Sequence, residues 1–213
     1  MKNSILKIIY SFIVRWFLKL IVGVKFANAD FLKDVRQFII VANHNSHLDT
    51  MTLMASLPPS VIPRVKPVAA KDHFGKTKLS TWLSNTFINT LLINRKRDKE
   101  NPENDPIHNM VSALDQGYSL ILFPEGTRGE PEKEQKLKAG IGLVLQHRPD
   151  VHIVPAYMKG MGKAMPKGDG LIVPFNSSLV YGKPKRIIFE SVADILGQID
   201  NDFKLLKAIS NKG

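Results

Sequence analysis

The chain has 213 residues and a mass of 23.9 kDa, the size of one generous domain, and its lack of cysteine excludes thiol nucleophiles, zinc ribbons and iron–sulfur clusters. A hydrophobic content of 44% beside 23% charged residues excludes wholesale disorder. Thirty Lys and Arg against 19 Asp and Glu leave a net charge of +11, a field that draws polyanions: nucleic acid, anionic lipid headgroups, or phosphorylated and acidic substrates.

Residues 5–24, ILKIIYSFIVRWFLKLIVGV, come first in the chain. Lys7, Arg15 and Lys19 interrupt the run, so it lacks the roughly 18 uncharged residues that a membrane span needs. At about 100° per residue, Ser4, Lys7, Ser11, Arg15 and Lys19 share one narrow arc of a helix, and Ile, Leu, Phe, Val and Trp cover the rest. A basic stripe beside a wide apolar face, with Tyr10 and Trp16 at the boundary, describes an amphipathic helix over residues 1–26 lying in a membrane interface. The same pattern suits a helix docked on the protein's own core. Lys2, the apolar run and Ala27-Asn28-Ala29 imitate the parts of an export signal, but the internal charges and the overlong distance to the small residues argue against one.

After Phe26, short apolar runs predict strands at Phe38–Ala42, Val68–Ala70, Leu91–Ile93, Ser119–Phe123, Ile153–Ala156, Leu171–Val173, Ser178–Tyr181 and Ile187–Glu190. Helical spacing falls between the early ones, at Leu48–Leu57, Lys78–Asn85, Ile107–Gln116 and Leu137–Gln146. This alternation predicts an α/β fold with a central, mostly parallel sheet flanked by helices, and with antiparallel pairing among the closely spaced last strands. Residues 192–213 read as a terminal amphipathic packing helix. Asp98–Pro106 reads as a polar loop. Lys159–Gly170 reads as a basic, glycine-rich rim that fits neither nucleotide-binding spacing.

Three segments carry candidate chemistry. The first is Asn43-His44-Asn45-Ser46-His47-Leu48-Asp49. Five steps of a regular helix rotate about 140°, so His44 and Asp49 converge only if His44 sits in the turn before the helix. There the carboxylate fixes the imidazole tautomer and raises the basicity of the other ring nitrogen, making a general base. Ser46-x-x-Asp49 is equally a capping box, which needs no catalysis. A metal site on His44, His47 and Asp49 is a further alternative. The second segment, Ile121 to Arg128, runs an apolar strand into Pro124-Glu125-Gly126 at the sheet edge where α/β proteins place ligands. Arg128 offers a fork suited to phosphate, and the bland alternative is a strand-exit turn with a surface ion pair. The third, Leu91 to Arg97, ends a strand in a basic cluster that also reads as a solvated strand end. Lys138 adds one cation downstream.

Taken together, Asn-His-x-x-x-x-Asp at 43–49, Ile-Asn-Arg at 93–95, Phe-Pro-Glu-Gly-Thr-Arg at 123–128, Leu-Lys-Ala-Gly at 137–140 and Ile-Val-Pro-Ala at 153–156 closely resemble the glycerolipid acyltransferases, specifically the lysophosphatidate (1-acylglycerol-3-phosphate) acyltransferase branch. The resemblance covers roughly residues 40 to 157 and implies an acyltransferase domain at 27–213. It implies transfer of a fatty acyl chain from acyl-CoA or acyl-carrier protein to a lysolipid hydroxyl, without metal or prosthetic group. His44 matches the base and Asp49 its orienting partner. Glu125, Gly126, Thr127 and Arg128 match the acceptor-binding block, Arg95 and Lys138 match positions that meet phosphate, and Pro155 matches the last block. His47 and Asn94 depart from the usual pattern and leave the acceptor open to another lysolipid. The implied partners are the bilayer, the lysolipid and the acyl donor, with no nucleic acid, and the implied location is the cytoplasmic face of a membrane. A basic membrane- or nucleic-acid-binding protein and a metal-dependent hydrolase are the competing classes.

Overall fold

The computed structural model describes residues 2–71, 89–98, 100–130, 133–165 and 172–212. Its strands are β1 (Val24–Phe26), β2 (Phe38–Ala42), β3 (Val65–Ala70), β4 (Leu91–Ile93), β5 (Ser119–Leu122), β6 (His152–Lys159) and β7 (Ser177–Tyr181). They form one sheet in the order β1-β7-β6-β2-β5-β3-β4. Every pairing is parallel except β6 with β7, so the expected mixed, mostly parallel α/β sheet is present. The central strands read FIIVA and SLIL and are buried along their whole length, because helices cover both faces.

One face packs on a helical rod, α1 (residues 2–22), and on α2 (Asp49–Ser56). The other packs on α3 (Pro106–Asp115), α4 (Gly140–His147) and α6 (Val192–Lys212). A short helix, α5 (Met161–Ala164), leads out of β6. Asp105 caps α3, its carboxylate accepting the Ile107 and His108 amide protons.

The rod docks Leu6, Tyr10, Val14, Leu18 and Val22, one residue in every four. In a pure α-helix such a stripe drifts by about 40° per step and leaves the contact after two turns. Here α-turns (Lys2–Ile8, Arg15–Phe17) alternate with wider π-turns (Ile9–Val14, Leu18–Val22), which take the drift back. Ile5, Ile8, Phe12, Ile13, Trp16, Leu20 and Ile21 point outward and are exposed. The rod is therefore docked on the protein's own core along one side and leaves an apolar side exposed. Arg15 lies at the seam, donating from Nη1 to the Ala55 carbonyl at 2.8 Å in the last turn of α2.

Several predicted elements differ from the structure. The helix ends at Val22, not at 26, because Gly23 takes φ 85° and turns the chain into β1, which pairs with β7. No strand forms over 172–173, where Val173 is exposed, nor over 187–190, where Ile188 is 90% exposed. In the second case Lys185 makes one antiparallel bridge to Ile153, and continuing that register would set 187–190 against 148–151, a turn in which the Val151 amide donates to the Arg148 carbonyl at 3.3 Å. The predicted helix at Lys78–Asn85 lies outside the described residues, as do residues 166–170 of the predicted rim.

Candidate active site

Strands β2 and β5 lie side by side, with Val41 opposite Leu122, so the segments leaving their C-terminal ends meet. The first step is taken by Asn43. Its Nδ2 donates to the Met158 carbonyl at 2.9 Å, and its Oδ1 accepts the Met158 amide proton at 2.7 Å. The side-chain amide thus stands in for the backbone that β2 no longer offers to β6. That substitution lets the main chain leave the sheet at His44 without orphaning Met158.

His44 turns toward β5. Its ring stacks on Phe123 with centroids 4.1 Å apart and planes 17° from parallel. Its amide donates to Glu125 Oε2 at 3.1 Å, and its carbonyl accepts from the Gly129 amide at 3.0 Å. The turn after β5 therefore grips the His44 backbone from both sides.

The imidazole meets Asp49 across a 2.9 Å contact between Nδ1 and Oδ2. As the spacing requires, His44 lies in the turn and Asp49 opens α2. The same Oδ2 accepts the Asn45 amide proton at 2.7 Å and the Ser46 amide proton at 2.8 Å. Capping and the histidine–carboxylate pair are thus one arrangement, since a carboxylate fixed by two backbone donors is a rigid acceptor for Nδ1–H. Nε2 is left with the lone pair, on a side chain still 19% exposed.

Glu125 is only 6% exposed. Burial is the main cause that pushes its carboxyl up to about 7; the Asp49 charge adds to the rise, while the His44 amide and Gln135 oppose it. Gln135 Nε2 donates to the same Oε2 at 2.6 Å and to the Thr127 carbonyl at 3.3 Å. Gly126 adopts φ 72°, and a Cβ there would stand 2.8 Å from Lys138 Nζ, so the lysine stem lies across the glycine. Lys138 is tied to the turn by its own amide, which donates to the Pro124 carbonyl at 2.8 Å.

The structure brings His44, Asp49, Glu125, Gly126, Thr127, Arg128 and Lys138 to one edge. Arg128 lies against His47 Nε2, and Thr127 is exposed beside them. Arg95 is exposed at the same edge after β4, three strands from β2, a separation of roughly 14 Å at about 4.8 Å per strand. Among the described residues, no group of three His, Cys, Asp or Glu side chains could hold a metal ion. Behind Glu125, on the α6 face, a small cleft of about 30 Å³ is bounded by Asn43, Asn45, Tyr157, Phe203, Lys204 and Lys207, among others.

Sequence reasoning did not single out Phe123 or Gln135 as site residues. Phe123 was readable in principle, because alternate residues of β5 share a face and its neighbour on that face, Ile121, is core. Gln135 carries no local pattern. It reaches Glu125 by passing over Gly129, where a Cβ would fall 2.1 Å from its Nε2.

A histidine–carboxylate pair and a cationic turn at the C-terminal edge of a parallel sheet define a class of α/β transferase or hydrolase site. Residues 23–159 match the family model described as Acyltransferase, and the chain belongs to that family. It is 26% identical over 159 residues to the chloroplastic 1-acyl-sn-glycerol-3-phosphate acyltransferase LPAT1 of Arabidopsis thaliana, covering 74% of this chain and 41% of that protein. It is 25% identical over 162 residues to the 1-acyl-sn-glycerol-3-phosphate acyltransferase of Bacillus subtilis, covering 76% of this chain and 73% of the other. The chain thus spans less than half the length of the plant relative. Among solved structures, the fold is shared with the 1-acyl-sn-glycerophosphate acyltransferase PlsC of Thermotoga maritima, with a TM-score of 0.76 and 21% identity, over 99% of this chain and 80% of that one.

Proposed function

We propose that the protein transfers a fatty acyl chain from an acyl thioester, acyl-CoA or acyl-carrier protein, to the hydroxyl of 1-acylglycerol-3-phosphate, giving phosphatidate. The observation that carries this reading is the 2.9 Å contact of His44 Nδ1 with Asp49 Oδ2 beside the 123–128 turn, in a chain of the Acyltransferase family. Nε2 takes the acceptor's hydroxyl proton as its oxygen attacks the thioester carbonyl. Asp49 holds the ring in place and stabilises the imidazolium that forms. The tetrahedral intermediate collapses with loss of the thiolate, which takes the proton back from Nε2. One ester forms, one thioester breaks, and no net proton is gained.

Arg128 and Lys138 supply positive charge for a phosphate at the same edge, and Glu125 acts as a clamp on the His44 backbone. His47, which lies against Arg128 at the same edge, favours a second reading, in which the acceptor is another lysolipid. No described helix is long and apolar enough to cross a membrane, so the outward face of α1 is the proposed seat in the bilayer interface, on the cytoplasmic side where soluble donors reside.

The test incubates purified protein with mixed lysolipids and labelled acyl thioesters and asks which lipid gains mass. Labelled phosphatidate is expected. Label in a different phospholipid supports the second reading, and thioester hydrolysis without acyl transfer rejects both.

A further inference from the structure

The outward apolar face of α1 does not stop where the rod stops. Residues 172–176 run against its C-terminal end, with the Phe175 amide donating to the Val22 carbonyl at 3.1 Å. Backbone contact there is tight, since a Cβ on Gly23 would meet the Phe175 carbonyl oxygen at 3.1 Å. Val173 is 46% exposed and Phe175 37%, in the segment bonded to the end of the rod, where Leu20 and Ile21 are also exposed. Large apolar side chains left exposed on two segments joined by a backbone bond mark this corner as a surface suited to an apolar environment.

Cations flank that corner in a repeated arrangement. The Lys19 ammonium lies 5.4 Å from the Trp16 ring centroid, and the Lys163 ammonium lies 5.2 Å from that of Phe175. Lys25 is exposed in β1, which follows the rod. Long cationic side chains bent over partly exposed aromatics match a headgroup boundary, where the ring enters the apolar layer and the charge stays at the phosphates. With the chain's net charge of +11, this arrangement complements an anionic lipid surface.

We infer that Val173 and Phe175 form, with Leu20 and Ile21, a second bilayer contact that seats the turn at residues 44–46 against the leaflet. This rests on the interfacial reading of α1 and adds an element that the rod alone does not supply. The segment is also joined to the catalytic turn. The Val173 amide donates to the Ala164 carbonyl at 2.9 Å, and one residue further on the Met165 carbonyl accepts from Ser46 Oγ at 3.0 Å. Seating this corner therefore fixes the height of residues 44–46 above the lipid.

The test uses the full chain and phosphatidylcholine vesicles containing phosphatidylglycerol. The double variant Val173→Ser/Phe175→Ser is expected to partition about tenfold less than wild type. Leu205→Ser/Ile209→Ser, which removes exposed apolar groups of α6, is expected to leave partitioning unchanged. As a variant that keeps the side chain large, Phe175→Trp is expected to gain fluorescence quenched by brominated lipid, above the background of Trp16 and Trp82. If wild type binds and the double variant binds equally, or the new Trp is not quenched, the second contact is overturned while the role of α1 stands. Wild type that ignores vesicles overturns both. A wild type that self-associates while the double variant stays monomeric, with equal vesicle binding, makes this corner a contact between copies and also overturns the proposal.

Discussion

His44 is held at four points: its ring by Asp49 and Phe123, its backbone by Glu125 and Gly129. Replacing it with Ala removes the proposed base and leaves every backbone bond available. Acyl transfer is expected to fall by about 10²–10⁴-fold with the unfolding midpoint nearly unchanged, which a turnover assay beside a urea titration checks. Full activity in that variant rejects the proposed mechanism. Glu125 gives a second residue-level expectation. Its carboxyl rises from 4.5 to about 7, mainly through burial, so the folded state binds this proton more tightly than the unfolded state. Its contribution therefore favours folding at low pH and is lost as pH rises from about 4.5 through 7. Glu125→Gln stays neutral, so its stability relative to wild type should climb across that window by up to about 3 kcal/mol. Urea titrations of both proteins between pH 5 and 8 measure the slope, and parallel pH profiles reject the assignment. The spacing of His44 and Asp49 made this pair legible in the sequence. The double use of Oδ2, as cap and as imidazole partner, is a matter of distances that no spacing contains.

At the scale of elements, the strands that carry the site were readable because β2, β4 and β5 are short apolar runs bounded by turns. Those that failed were apolar runs without a pairing partner. Ile188 lies beyond a single bridge and points into water, and hydropathy does not report whether the residues opposite form a strand or a turn. The strand β1 was hidden inside the tail of a helical pattern, and Gly23 was the one residue that marked the break. The exit of β2 shows how an element ends for a purpose. Asn43 and Met158 are both buried, and the two hydrogen bonds between them replace a missing piece of ladder. Asn43→Leu keeps the shape but strands a buried donor and a buried acceptor on β6. A loss of about 2–5 kcal/mol in urea unfolding is expected, together with reduced transfer as His44 shifts. A loss below about 0.5 kcal/mol means that solvent reaches Met158 and the surrogate-strand account fails.

At the scale of the whole molecule, the same rod belongs to the core and to the proposed interface, and two residues on it separate these roles. Leu18 is fully buried against the sheet, whereas Leu20, half a turn on, is 68% exposed. Sequence periodicity placed both on one apolar face, since a pattern of apolar residues does not say which of them protein covers and which lipid covers. The alternation of α- and π-turns makes the division, by keeping Leu6 through Val22 aligned on the protein. Leu18→Ala leaves a cavity and is expected to cost about 2–5 kcal/mol of folding stability, with vesicle partitioning of the folded fraction unchanged. Leu20→Ala is expected to shift stability by less than about 0.5 kcal/mol and to lower partitioning several-fold. An anchor that merely hangs from the domain would give the same small stability effect at both positions. If urea titration finds Leu18→Ala as stable as Leu20→Ala, the rod is a detachable tether. If neither change moves vesicle binding, the outward face of α1 is not what meets the lipid.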